Sequence, residues 1–139
     1  MEPVQSSLCF LGYRAELLRF EKRESSIQPN EKKPSLSASF MREIEKEDKD
    51  NCYALRLGVK IDQPDFPFYA EVILLGRFIV NGKMDAAQAM NVNAAAILYP
   101  YVRSTLSMMA SLAGLPPITL PTLNIVQMFQ NEQEETASN

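Results

Sequence analysis

Two cysteines, a run of carboxylates and a pair of glycines are the groups in this 139-residue chain whose types could do chemistry. Cys9 and Cys52 suggest a metal site or a redox pair. Glu43, Glu45, Glu47, Asp48 and Asp50 suggest a cation site, and GRFIVNGKM from Gly76 a phosphate cradle. None has the spacing that its chemistry requires. The cysteines stand 43 positions apart and the chain has no histidine, so Ser-His-Asp and Cys-His arrangements are excluded and a zinc ligand set is not assembled. Five residues separate Gly76 from Gly82 where a phosphate loop has four, and Met84 stands where a magnesium-binding hydroxyl belongs. The carboxylates alternate with Arg42, Lys46 and Lys49 and lack calcium-loop spacing, so they read as a solvated strand end and turn. Met90, Met108, Met109 and Met128 suit either a core or an adaptable apolar surface. The expectation is a binding protein without cofactor, metal or catalytic residues.

The bulk properties agree. A net charge of −3 and a pI near 5.0 leave no basic face for nucleic acid. Hydrophobic residues at 46% and charged residues at 22% describe one globular domain. Residues 94–115 approach the length of a membrane span, but Arg103 would lie near the midplane and polar side chains interrupt it. The apolar run LCFLGY is short and is followed by Arg14 and Glu16, unlike a signal peptide, so the expected location is the cytoplasm. There Cys9 and Cys52 are expected as reduced packing residues.

The elements that position these groups fall into two halves. SLCFLGYRAELLRFE, residues 7–21, alternates imperfectly and predicts a strand with a bulge. Residues 22–36 carry turn formers, charges and two prolines, a loop long enough to cross to a non-adjacent strand. SASFMREIEK follows, with Phe40, Arg42, Ile44 and Lys46 on one face. After the turn EDKDN, the segment CYALRLGVKID alternates through Tyr53, Leu55, Leu57, Val59 and Ile61. FYAEVILLGRFIV, residues 68–80, is apolar on both faces except at Glu71 and Arg77, which suits a central strand ended by Asn81-Gly82. From Met84 the period lengthens: a short helix in MDAAQAMNV, a long one over 94–113, and a short last one opened by Asn124. Strands first and helices last predict an α+β fold with an antiparallel sheet. The ordered core should span about residues 7–130, before a flexible polar tail over 131–139.

The long helix is apolar nearly all round. Ile97, Tyr101, Met108 and Leu112 share one face; Leu98, Val102, Leu106 and Met109 share another. A four-stranded sheet covers one face only, so the second is expected at a contact between copies, with Tyr101 and Met108 in it. A helix covered wholly by its own chain is the alternative. Pro100 is expected to kink the helix or to mark its true start.

ILYPYVRSTLSMMASLAGLPPITLPTLNIVQMF, from Ile97, closely resembles the corresponding stretch of the SecB family of export chaperones. Ile97, Leu98, Tyr99, Pro100, Tyr101, Arg103, Pro116, Leu120, Asn124 and Phe129 stand in the family's places without a gap. FYAEVILLGRF resembles the family's last strand, and YRAELLRFE more loosely its first. The resemblance implies a four-stranded antiparallel sheet with a crossover loop, then a long and a short C-terminal helix. It also implies a homotetramer, a dimer of dimers with long helices between sheets, and ATP-independent holding of unfolded preproteins in apolar grooves. Phe66, Tyr99, Leu115, Ile118, Leu120, Leu123 and Met128 are the candidate groove walls, and each would serve equally as core. Glu21 and Glu71 fall on positions that dock the motor SecA, while Leu17 takes a third position that is acidic in the family. Phe68, Ala70, Val72 and Leu74 fall on the strand positions that tune subunit association.

Within that resemblance two roles remain: general export with SecA, or a chaperone dedicated to one client such as an antitoxin. Leu17 leans toward the second. A non-chaperone interaction module on the same fold is a different class of reading, and an enzyme a distant third.

Overall fold

The computed structural model describes residues 8–24, 37–116, 118 and 120. Four strands, β1 (Leu8–Lys22), β2 (Ser39–Lys46), β3 (Cys52–Ile61) and β4 (Phe68–Val80), precede all the helical segments. They form one antiparallel sheet in the order β1-β4-β3-β2. Two hairpins therefore join β2 to β3 and β3 to β4, and the connection from β1 to β2 passes from one edge to the other. The tight turns use residues that tolerate a left-handed backbone: Asn51 at φ 63° and Asp65 at φ 60°.

Strand alternation decides the two faces. Leu55, Leu57, Val59 and Ile61 of β3 and Phe68, Ala70, Val72, Leu74, Phe78 and Val80 of β4 are buried on the inner face. Phe40 and Ile44 extend that face onto β2. The strand β1 carries two register shifts, between Phe10 and Gly12 and between Ala15 and Leu17. Two bulges are present where one was expected. The second leaves Leu17 opposite Ile73 and Leu18 opposite Val72, so these adjacent residues face opposite sides of the sheet. The two cysteines lie on either side of Ile79 and both thiols are free. Two strand spacings, roughly 10 Å, separate them, beyond disulfide reach.

Helical backbone then runs without interruption through α1 (Ala86–Gln88), a π segment (Ala89–Ala94) and α2 (Ala95–Leu112). Two separate helices were expected; the wider π turn joins them. Asp85 caps the start, its carboxylate accepting from the Ala87 amide at 3.0 Å. Within the π turn the Asn91 side chain donates to the Ala87 carbonyl at 2.7 Å. Pro100 lies inside α2 rather than at its start. Pro100 and Ala96, whose carbonyl loses its partner, are both exposed, so solvent can satisfy that group. After Leu112 the Leu115 amide turns back to the Ala110 carbonyl at 2.9 Å. The expected helix from Asn124, the tail 131–139 and most of the loop 22–36 lie outside the described residues.

The core lies between sheet and α2. Leu98, Val102, Leu106 and Ala110 of α2 are buried against β3 and β4. Gly76 allows this approach: a Cβ there would stand 3.2 Å from Leu98 Cδ2 and 3.0 Å from Phe78 Cε2.

Candidate functional site

The opposite face of α2 is not covered. Tyr101 is 38% exposed, Met108 58% and Leu112 84%. These are members of the second apolar face foreseen in the sequence. The inner face of β1 continues the patch, because α2 packs mainly over β3 and β4 and leaves Tyr13 and Leu18 half exposed. Tyr13 joins the two parts: its ring lies 4.5 Å from that of Tyr101, and Phe10 stacks between Tyr101 and Phe78 at 5.7 and 5.1 Å. Tyr13, Leu18 and Leu112 were not singled out from sequence. The first two depend on the bulges of β1, whereas Leu112 was legible from the helical period.

The proposed groove walls fall in two places. Tyr99 is buried, its ring 6.1 Å from that of Phe40 with the Arg103 guanidinium 5.5 Å from its centroid. Burial raises the Tyr99 pKa. Phe66 packs edge-on against Phe68 at 4.9 Å, and Phe68 stacks on Phe20 at 5.1 Å. Beyond α2, Leu115 is half buried and Ile118 and Leu120 are buried, with Ser107 Oγ donating to the Ile118 carbonyl at 2.9 Å. Leu123 and Met128 lie outside the described residues. Tyr99, Ile118 and Leu120 thus belong to the core of one chain, while Phe66 and Leu115 keep an accessible side.

On the outer face of the sheet, charge is paired internally. Arg56 of β3 reaches Glu16 of β1 at 2.7 Å and Glu45 of β2 at 3.0 Å, so one guanidinium bridges over β4 and ties both edges. Arg77 makes two bonds to Glu47, at 2.6 and 2.8 Å. Hydrogen bonds from these arginines hold the Glu16 and Glu47 carboxyls below the usual range. Among the described residues no group of three or more His, Cys, Asp or Glu side chains is placed to hold a metal ion. The arrangement can bind apolar and charged surfaces; nothing in it assembles an acid, a base and a nucleophile.

Residues 17–136 match the family described as preprotein translocase subunit SecB. The chain belongs to the SecB family. A chaperone role comes with that membership, as does a non-enzymatic one. A SecB protein-export protein from Dichelobacter nodosus is 29% identical over 75% of this chain and 73% of its own. An uncharacterized protein of Methanocaldococcus jannaschii is 28% identical over 99% of this chain and 92% of its own. Among solved structures, a SecB-like chaperone of Mycobacterium tuberculosis in complex with a peptide from an antitoxin shares the fold. Its TM-score is 0.61 at 16% identity, covering 84% of this chain and 87% of that one.

The positions implied by SecB membership can now be placed. Glu21 and Glu71 lie on the same outer face, near one another across β1 and β4. Both are engaged. Glu21 pairs with Arg19 at 3.1 Å, and Glu71 accepts from the Tyr69 hydroxyl at 2.7 Å, which raises the Tyr69 pKa. Strand register sets Glu71 between Arg19 and Lys60. Arg19, Arg23 and Lys60 all approach the Tyr69 ring, at 4.7, 5.1 and 5.9 Å. This cationic group was missed from sequence because only the register reveals it. Leu17 stands beside Ile73 on the same face. A correction concerns Phe68, Ala70, Val72 and Leu74. They were expected at a subunit contact, yet all four are at most 5% exposed within this chain's own core. Alternation was read correctly, but α2 of the same chain covers that face, leaving no side-chain surface there for a partner. Tyr101 and Met108 keep theirs. No helix among the described residues is long and apolar enough to cross a membrane.

Proposed function

We propose that this chain is an ATP-independent holdase of the cytoplasm that works as a homotetramer and binds unfolded segments in apolar grooves. The observation that carries the reading is the pair of apolar surfaces its own sheet leaves uncovered. Tyr13, Leu18, Tyr101, Met108 and Leu112 form a patch suited to another copy. Phe66 and Leu115, at the rim of a core that includes Tyr99, Ile118 and Leu120, offer an accessible apolar edge for client residues. Leu123 and Met128 would extend that edge. Holding needs no catalysis: burying client side chains lowers the free energy of the exposed chain, and the complex delays its aggregation. Unfolded preproteins are the general client class.

A dedicated client, such as an antitoxin, is the second reading, and the outer face favours it. Docking to SecA through Glu21 and Glu71 would require a basic partner to compete with Arg19, Arg23 and Lys60, and Leu17 supplies no charge at the third position. Support for the antitoxin version comes from the shared fold with the mycobacterial SecB-like chaperone.

The test is light scattering during dilution of a chemically denatured model protein. Scattering should fall to near baseline as the chaperone approaches stoichiometry. Undiminished aggregation at a large molar excess would remove the general holdase reading. Capture from lysate then separates the branches: many preproteins, one antitoxin, or one folded partner. The last outcome would recast the chain as an interaction module.

A further inference from the structure

We propose that the bulge at the start of β1 builds a carboxylate-binding site on the outer face, shaped for the C-terminus of a peptide that ends in an aliphatic residue. This goes beyond the holdase reading and does not depend on it. The site is a dent of about 230 Å³ lined by Leu11, Gly12, Tyr13, Arg14, Leu75 and Arg77.

The dent exists because of Gly12. In register Gly12 stands opposite Arg77, and Arg14 opposite Leu75, on the outer face. A side chain at Gly12 would occupy the space between the two arginines, and a Cβ built there meets nothing within 4 Å. Its φ of +120° is open to glycine and strained for other residues. The chain therefore places, beside an opening, the one residue type that both leaves it empty and permits the bulge. The bulge also presents Leu11, 49% exposed, while Leu75 is nearly buried, so the dent has an apolar wall and floor.

The chemistry follows from the lining. Arg14 makes no hydrogen bond or ion pair among the described residues, and Glu16 and Glu47 interact with it only through space. Glu16 is already bound by Arg56. Arg77 spends its Nε and Nη2 on Glu47 and keeps Nη1. Two guanidiniums with donors to spare on either side of a vacancy suit a carboxylate, which accepts from both. A main-chain carboxylate beside an aliphatic side chain fits this combination better than an Asp or Glu side chain, which carries no branch to rest on Leu11 and Leu75. The dent opens next to edge strand β1, so the rest of a peptide can leave past the edge.

The test uses amide and arginine Nε–H resonances of the full chain, titrated with N-acetyl-leucine, N-acetyl-leucinamide, acetate and N-acetyl-glutamate α-amide. N-acetyl-leucine should give saturable shifts at Gly12 and at the Arg14 and Arg77 side chains. Arg14→Gln should weaken it about tenfold, Arg14→Lys less so, and Lys22→Gln not at all. Both arginine positions are exposed, so the folded spectrum should persist. Equal binding of the leucinamide would overturn the carboxylate assignment. Equal binding of acetate or of the glutamate side-chain analogue would overturn the C-terminal one. Absence of saturable shifts at Gly12, or an unchanged affinity in Arg14→Gln, would overturn the site itself.

Discussion

Substituting Met108→Lys should dissociate the assembly while leaving the protomer folded. Met108 projects from the uncovered side of α2 and is 58% exposed, so the isolated chain loses little, within about 0.5 kcal/mol. The assembly loses much more. Burying a large apolar side chain contributes about 1.5–3 kcal/mol. Weighted by exposures of 38% to 84%, Tyr13, Leu18, Tyr101, Met108 and Leu112 offer roughly 6 kcal/mol per protomer. A self-complementary pair doubles this to roughly 12 kcal/mol, against an association cost of about 4–15 kcal/mol. With a cost near the lower end, about 8 kcal/mol remains, which corresponds to micromolar affinity. The lysine removes its apolar share on both sides, about 2.6 kcal/mol or nearly a hundredfold in affinity. Each ammonium taken into the contact adds a desolvation penalty of several kcal/mol. Sedimentation velocity across a micromolar concentration series reads the result, with circular dichroism as the folding control. A wild-type chain that sediments as a single 15.7 kDa particle throughout, or a variant that assembles as wild type does, would refute the reasoning.

Two further outcomes follow from the core and the outer face. Leu98→Ala removes a fully buried side chain beside Gly76 and should lower stability by about 2–5 kcal/mol, read from urea midpoints; a loss under about 1 kcal/mol would mean that α2 does not pack as described. Glu16 and Glu47 have folded pKa values below their ordinary 4.5, so their stabilising contribution is complete above that pH and is lost as pH falls through the folded values. The thermal midpoint should change little from pH 7 to about 5 and then drop, and Glu16→Gln should flatten part of that drop. An identical acid limb in the variant would detach Glu16 from it.

Much of this arrangement was legible because the strands alternate cleanly. Tyr53 through Ile61 declared one face of β3, and the two-sided apolarity of residues 68–80 placed β4 in the interior of the sheet. The length of the 22–36 segment foretold a crossover. Helical spacing likewise separated Leu98, Val102 and Leu106 from Tyr101, Met108 and Leu112, and their burial divides the same way. What the sequence hid were features set by pairing. Alternation says that Phe68, Ala70, Val72 and Leu74 share a face, but not whether that face meets its own helix or another subunit. The bulge after Ala15, which turns Leu17 outward and Leu18 inward, depends on an extra residue in β1 against β4. Arg56 bridging two edges, and three cations gathering at Tyr69, bring together residues distant in sequence. No local pattern announces such contacts.

The two faces of the sheet divide the work of binding. On the outer face most charges find partners within the chain, so a docking protein gains from an ion pair there only by displacing one already made. Exposed pairs are worth little singly, and an exchange of one for another is near neutral. Long-range attraction toward Glu21 and Glu71 is also reduced by the neighbouring Arg19 and Lys60. The inner side presents the opposite case: Leu112 at 84% and Met108 at 58% exposure have no partner within the described chain, and covering them gains free energy from any apolar surface that fits. Recognition by this protein should therefore be driven by apolar burial on the α2 and β1 side. Salt should weaken client holding little, whereas a contact that depended on the acidic positions of the outer face would decline steeply with ionic strength.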